Sequence, residues 1–215
     1  MNWLKDKMPL MFDPNNAPRS LDIPIFPLHT VLYPEALLPL KIFEPRYMDM
    51  VKTCLKNDTP FGICLIQEGS EVGAPAMPHA IGTLASIGHW DMPQLGILHI
   101  MTQGGERFFI EDSEVARDGL IHAQVVLMAA EATQAVPAEF AGSVAVLHHI
   151  IDELGEARFS QPLRLDDASW LGYRLAETLP LKASVKQDLL EMNDSLMRLK
   201  ILWEFLKRHG LVDAD

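Results

Sequence analysis

Five short apolar runs follow one another through the middle of the chain, and glycine or proline separates each from the next. They are rich in β-branched and aromatic residues, and in order they read FGICLIQ, AIGTLASIGHW, LGILHIMTQ, RFFIEDSEV and GLIHAQVVLM. Runs of this kind at close spacing are typical of the strands of an antiparallel sheet. The pattern predicts a curled or barrel-like sheet, with the stretch HWDMPQLGI as the tip of a hairpin.

One helix is predicted before these strands, at the end of the stretch LPLKIFEPRY, residues 38–47. Apolar residues then recur with the spacing of one helical face, at Tyr47, Met50, Val51, Cys54 and Leu55. Pro45 suits the first helical position, and the Glu44 carboxylate is expected to cap the free amides there. Glu44 and Arg46 suggest either a catalytic acid with a charge-stabilising partner or an ion pair that fixes the turn, and the capping argument favours architecture.

A change of composition at residues 129–138 marks a boundary, because strand patterns stop there and helical periodicity begins. Helices are predicted over residues 137–154 and 167–179. Ser184 and Gln187 have the spacing of a capping box, and Asp194 can cap a last helix. The sequence thus predicts an α+β protein with three parts: an N-terminal arm (1–20), a β-rich domain (21–128) and a helical subdomain (129–215).

Charge and cysteine content limit the partners and the compartment. Eighteen Lys and Arg against 29 Asp and Glu give a formal net charge of −11, which disfavours nucleic acids and anionic membranes. Cys54 and Cys64 are too few for a disulfide framework, which favours a reducing compartment. Signal-peptide and membrane-span patterns are not found in the sequence, so a cytoplasmic location is expected.

Two groups of residues resemble ligand sites, and each has a structural alternative. Adjacent residues on a helix point about 100° apart, so His148 and His149 do not form a zinc pair, and His148 with Asp152 supplies only two ligands. Gly104 and Gly105 could approach a phosphate, but between two β-rich runs a turn or bulge is favoured. No metal and no cofactor is expected.

Large apolar residues occupy the expected hairpin tip, where small polar residues are usual. They are Trp90, Met92 and Leu95. Tryptophan and methionine are enriched at protein interfaces, so these three residues form a candidate protein-contact surface. The alternative, that the tip folds against the helical half of the chain, stays open.

Several motifs occur in an order that resembles a known family. The order is FPL, then a Tyr-Pro pair, then LPLKIFEPRY, IGTLASI and GERF, followed in the helical half by Trp170, LPL at 179–181 and KQDLLE at 186–191. This order, over about residues 22–206, resembles the Lon-type amino-terminal domain, and in particular the small bacterial proteins in which that domain stands alone. The resemblance implies a pseudobarrel related to the PUA fold, joined to a helical subdomain.

The resemblance also implies a role in recognising substrates, since that is what this region does in Lon proteases. The phosphate loop G-x-x-x-x-G-K-[ST] is not found in the sequence, and neither is the Lon serine and lysine peptidase segment. A non-catalytic, ATP-independent module that binds unfolded or extended polypeptide segments is therefore expected. The alternatives are a nucleotide-independent hydrolase, a scaffold, or a PUA-like RNA-binding protein.

Overall fold

The computed structural model describes residues 19–212. The chain divides into two compact units, one that ends at Ala130 and one that begins at Glu131. Residues 1–18 of the predicted arm lie outside the described residues, and Ser20, predicted as the last residue of the arm, begins the first strand. The first unit is a sheet with one helix and the second is helical, which confirms the α+β class.

Seven strands and one helix make up the described part of the first unit. The strands are β1 (Ser20–Leu28), β2 (Leu37–Ile42), β3 (Phe61–Glu68), β4 (Met77–Pro78), β5 (Ile81–Gln94), β6 (Ile97–Val115) and β7 (Ile121–Leu127), and the helix is α1 (Pro45–Asn57). β1, β7, β6, β5 and β3 pair in that order, and all four pairings are antiparallel. β1 also pairs with β3 in parallel, so these five strands close into a barrel.

The barrel interior is filled by the inward-facing residues of its strands. Its buried cluster is Ile23, Ile25, Cys64, Leu84, Phe108, Ile121, Ala123, Val125 and Leu127. Helix α1 buries Tyr47, Met50, Val51 and Cys54, four of the five residues of its predicted face. The fifth, Leu55, is 36% exposed.

Two of the predicted strands, LGILHIMTQ and RFFIEDSEV, are one strand in the structure. β6 runs without a break through Gly104 and Gly105. Its pairing with β5 shifts register between Thr83 and Ala85: Gly104 pairs with Ala85, and the next two residues, Gly105 and Glu106, lie opposite Leu84 alone. The predicted bulge is therefore present, at Gly105 and Glu106. Gly104 also exchanges backbone hydrogen bonds with the segment before β2: its N–H donates to Ala36 O at 2.9 Å, and its carbonyl accepts from Glu35 N at 2.8 Å.

The second unit contains four α-helices within the described residues. They are α2 (Ala141–Leu154), α3 (Ala168–Thr178), α4 (Ala183–Glu191) and α5 (Ser195–Arg208), with single 3-10 turns at Ala138–Phe140 and Glu156–Arg158. Asp194 caps α5 as predicted, accepting the Met197 N–H at 2.9 Å. The predicted capping box is wrong, because α4 begins at Ala183 with no side-chain cap, and the buried Gln187 donates instead to Glu191 at 3.0 Å.

A buried arginine links the helices of the second unit. Arg198 forms an ion pair with Glu131, donates to the carbonyls of Leu189 (3.0 Å) and Met192 (2.7 Å), and lies 3.9 Å from the ring centroid of Tyr173. These contacts satisfy a charge that would otherwise be costly to bury. None of the helices in the described part of the chain is long and apolar enough to cross a membrane.

Candidate functional site

The stretch from Glu44 to Tyr47 starts helix α1, but not with the predicted side-chain cap. Pro45 occupies the first helical position, and the Glu44 carboxylate makes no capping hydrogen bond. The Glu44 carbonyl accepts the N–H groups of Tyr47 (3.1 Å) and Met48 (2.9 Å) instead. The predicted cap is therefore wrong. The carboxylate is held elsewhere, because it is paired with Arg46.

Arg46 joins the start of α1 to the turn between β6 and β7. Its Nη2 lies 3.0 Å from Glu44 Oε2, and its Nη1 donates to the Gly119 carbonyl at 3.0 Å. Its guanidinium lies 4.6 Å from the ring centroid of Tyr47, and the Tyr47 ring stacks on Phe26 with 4.1 Å between centroids. Both terminal nitrogens of Arg46 thus hold parts of the fold together, which supports architecture over a catalytic pair.

Burial also makes Tyr47 a poor acid or base near neutral pH. The pKa of the Tyr47 hydroxyl is raised chiefly by burial, against the opposing effect of the Arg46 charge. A phenol with a raised pKa keeps its proton near neutral pH. The residue therefore fits its role as a packed ring between Arg46 and Phe26.

His148 and Asp152, considered above as metal ligands, form an exposed contact on α2. His148 Nδ1 lies 3.1 Å from Asp152 Oδ2, and both side chains are more than half exposed. Within residues 19–212, no group of three or more His, Cys, Asp or Glu side chains is arranged to hold a metal ion. The pair remains two candidate ligands one helical turn apart.

The three apolar residues predicted for the hairpin tip all lie at the end of the β5–β6 hairpin. Leu95 and Gly96 form its turn, and Gly96 has φ 83°, a left-handed conformation that glycine adopts without strain. Leu95 is 93% exposed, Trp90 53% and Met92 38%. We call Trp90, Met92 and Leu95 the tip residues.

One edge of β5 is unpaired along the same hairpin. β3 pairs with β5 only as far as Phe61 opposite Ala85, whereas β5 continues to Gln94. Beyond Ala85, β6 is the only strand in the described residues that pairs with β5. We call residues 86–94 of β5 the free edge. An open edge offers backbone N–H and C=O groups to an added strand.

The free edge is interrupted at two places. The pairing of β5 with β6 shifts register between Ile87 and His89 and again between Asp91 and Gln94, and Pro93 has no N–H to donate. Bulges and prolines are common devices that limit pairing at sheet edges. The regular part of the free edge is therefore short, from His89 to Asp91.

A groove of about 360 Å³ lies where the free edge begins. We call it the edge groove. Ten residues line it: Cys54, Leu55, Asp58, Thr59, Pro60, Leu84, Ser86, Ile87, Gly105 and Glu106. They come from the end of α1, from the segment that leads into β3, and from β5 and β6. Leu55 is exposed there, which explains why one residue of the predicted helical face is not buried.

Two carboxylates give the edge groove its electrostatic character. Asp58 ends α1 in the left-handed conformation (φ 53°) and is exposed. Glu106 is paired with Arg19: Arg19 Nη1 lies 3.0 Å from Glu106 Oε1, and both side chains are substantially exposed. The groove therefore combines apolar walls with two solvent-accessible negative charges.

The edge groove was not predicted from the sequence, whereas the tip residues were. Three separated segments build it, and no local pattern connects residues 54–60 with 84–87 and 105–106. Leu55 itself gave no signal, because it completes the i, i+3, i+4, i+7, i+8 spacing of an ordinary buried helical face.

The chain matches one protein family over most of its length. The model of the ATP-dependent protease La (LON) substrate-binding domain matches residues 22–208. Lon protease 2 of Herpetosiphon aurantiacus is 26% identical over an aligned length of 200 residues, and the match covers 89% of this chain and 24% of that protein. The chain thus spans about a quarter of the length of the curated relative that it matches.

Solved structures share the fold. A crystal structure of a Lon N-terminal domain protein from Xanthomonas campestris has 32% sequence identity and a TM-score of 0.72, and the match covers 86% of this chain and 98% of that one. The N-terminal domain of the Lon protease of the Mycobacterium avium complex has 18% identity and a TM-score of 0.56, with 88% and 100% covered. At that identity the second match shows similarity of fold alone.

Proposed function

This chain belongs to the LON substrate-binding domain family, and we propose that it is a non-catalytic module that holds extended polypeptide segments at the β5–β6 hairpin. The observation that carries the proposal is the coincidence, on one hairpin, of an unpaired strand edge and three exposed apolar side chains. The edge supplies main-chain hydrogen bonds, and the tip residues supply apolar contact.

The faces of the hairpin support this arrangement. Trp90 pairs with Ile100, and Ile100 pairs with Leu40 on the other side of β6. Directly paired residues project from the same side of a sheet, so the three form one apolar row. Ile100 is buried in this row, while Trp90 is half exposed. A bound segment would extend the row past Trp90.

The short regular edge predicts weak and permissive binding. A regular stretch from His89 to Asp91 can form only a few main-chain hydrogen bonds, and such bonds do not depend on the side chains of the bound segment. Small contact areas give dissociation constants on the order of 10 µM. Such binding suits a module that meets many different unfolded segments.

A non-catalytic role is supported by the side chains themselves. Burial raises the pKa of the Cys54 and Cys64 thiols, and both residues are buried and free, so neither resembles an activated nucleophile. The Glu44–Arg46 pair is engaged in the fold. We infer in addition that the module works in the cytoplasm without nucleotide, because both cysteines are free and the phosphate-loop motif is not found in the sequence.

Titration with a permanently unfolded protein such as casein tests the proposal. We expect a Trp90→Ser/Leu95→Ser variant to bind about 30-fold more weakly, because an exposed tryptophan at the centre of an interface contributes about 2 kcal/mol. The matched control is Ile201→Ser, which removes an exposed apolar side chain (43%) from the second unit and should bind like the wild type.

Two results would overturn the proposal. One is the absence of binding at several hundred micromolar casein. The other is equal binding by the tip variant and the wild type. Turnover of casein or of an ester substrate, abolished by a single Ser or His substitution, would refute the non-catalytic part and favour the hydrolase alternative.

A further inference from the structure

The edge groove is continuous with the free edge, so it meets any segment that is added there. Ser86 and Ile87 belong to both. A strand paired with the outer edge of β5 would run from the hairpin tip towards Ala85, where β3 already occupies the pairing position through Phe61. The added strand must end or turn at this point. Its last side chains therefore lie over the edge groove.

The walls of the edge groove suit a long side chain with a cationic end. Leu55, Pro60 and Ile87 offer apolar surface along which an aliphatic stem can lie. Asp58 and Glu106 offer carboxylates to a lysine ammonium or an arginine guanidinium. An acidic side chain would meet two like charges in the same place.

The chain itself shows a cation in contact with one of these carboxylates. The Arg19 guanidinium donates to Glu106 Oε1 at 3.0 Å and to Oε2 at 3.3 Å. Arg19 is 67% exposed and Glu106 43%, and an ion pair so exposed contributes little to stability. A cation brought by a bound segment can therefore replace Arg19 at little cost.

We propose that the edge groove selects polypeptide segments in which a lysine or arginine lies at the end of an apolar extended stretch, and that Arg19 competes with that residue for Glu106. The inference rests on the function proposed above and adds a chemical preference to it. Under this proposal, Asp58 and Glu106 are the specificity-determining residues, and the tip residues provide the general affinity.

Two blocked decapeptides that differ in one residue test the preference. Both carry a β-branched and aromatic core, and one ends in Lys where the other has Gln. In low salt we expect the Lys peptide to bind about three- to tenfold more tightly, the range that two exposed ion pairs provide. The ratio should fall towards one in about 0.5 M salt, because the charges are exposed. The Lys is placed at the N-terminus of one peptide and at the C-terminus of another, because a strand can be added to the free edge in either direction.

Single substitutions assign the preference to the groove. Asp58→Asn keeps a residue type that tolerates the left-handed conformation, and Glu106→Gln keeps a hydrogen-bonding side chain; each should reduce the Lys-to-Gln ratio. Arg19→Gln should increase it by removing the competitor. The matched control is Glu114→Gln, an exposed carboxylate eight residues along β6 and roughly 25 Å from Glu106, which should leave the ratio unchanged.

The outcomes separate this inference from the proposed function. If both peptides bind equally to the wild type, the preference is refuted while polypeptide binding stands. If Glu114→Gln lowers the ratio as much as Glu106→Gln does, the preference comes from the net charge of −11 and the groove assignment is wrong. If neither peptide binds and casein does not bind either, the proposed function fails together with the inference.

Discussion

Replacing Arg46 by methionine measures how much the Glu44–Arg46 pair contributes to the fold. The change keeps the aliphatic stem but removes the charge that is 3.0 Å from Glu44 and the donor to the Gly119 carbonyl. The side chain of Glu44 is only 18% exposed, so its carboxylate would be left largely buried without a partner. Removing one member of a buried pair costs about 3–5 kcal/mol. Because Glu44 keeps some contact with solvent, we expect about 3 kcal/mol.

Urea titration reads this loss directly. With a slope of about 2 kcal/mol per molar urea, a loss of 3 kcal/mol lowers the midpoint by roughly 1.5 M. Helix α1 supplies its own control in the exposed pair Asp49–Lys52, with 3.0 Å between the charged atoms and side chains 73% and 64% exposed. Lys52→Met should cost less than about 1 kcal/mol.

A double variant tests the stated cause. Glu44→Gln removes the carboxylate charge that Arg46→Met leaves unpaired. The double variant Glu44→Gln/Arg46→Met should therefore be more stable than Arg46→Met alone, by about 1–2 kcal/mol. The reasoning is refuted if Arg46→Met costs no more than Lys52→Met. It is refuted as well if the double variant is less stable than Arg46→Met, because the loss then has a cause other than an unpaired carboxylate.

Three other substitutions have defined outcomes. Asp194→Ala removes the acceptor of the Met197 N–H and should cost the second unit about 1 kcal/mol in urea titration, and no loss would contradict the capping role. Gly104→Ala places a methyl group against the backbone carbonyl of Tyr33; we expect a loss of at least about 2 kcal/mol, and a wild-type melting temperature would count against it. Burial raises the pKa of Glu177, so the folded state binds the proton more tightly than the unfolded state does. The stability that this proton provides is present at low pH and is lost as the pH rises through the raised pKa. Urea titrations across about pH 4–8 should show this fall in the wild type and not in Glu177→Gln, and parallel profiles would contradict it.

Elements that depend on neighbouring residues were predictable from the sequence. The spacing from Tyr47 to Leu55 predicts α1, and the helix in the structure, Pro45–Asn57, contains all of these residues. Asp194 directly precedes an apolar helical pattern and does cap α5. In each case the interactions join residues only a few positions apart, so a linear pattern contains them.

Features that depend on distant residues were not predictable. Gly104 and Gly105 predict a break between two strands. β6 nevertheless continues, because the backbone of Gly104 is hydrogen-bonded to the backbones of Glu35 and Ala36, about seventy residues earlier in the chain. The parallel pairing of β1 with β3 likewise has no local signature. Only the folded chain shows that the sheet closes.

The two wrong capping predictions have different physical explanations. Glu44 is at the N-cap position, but its carboxylate pairs with Arg46 at 3.0 Å. The capping box fails because α4 begins at Ala183, which places Ser184 inside the helix, and Gln187 donates to Glu191 at 3.0 Å. Capping contributes about 1 kcal/mol, which a buried charged contact readily exceeds. Sequence spacing identifies candidate caps and does not reveal these competitors.

The open edge of β5 follows from unequal strand lengths around a closed barrel. β3 has eight residues and pairs with β1 on its other side, so its pairing with β5 ends at Phe61 and Ala85. β5 has 14 residues and β6 has 19, so their hairpin continues beyond the end of β3. In that part of the hairpin β2 pairs with β6, and the outer edge of β5 stays unpaired. A long regular edge would invite self-association. The register shift at Gly88 and the second shift after Asp91, where Pro93 lies, shorten it to His89–Asp91. That length limits pairing between copies and still leaves room for a few residues of another chain, so the weak and permissive binding that we propose would follow from how the barrel closes.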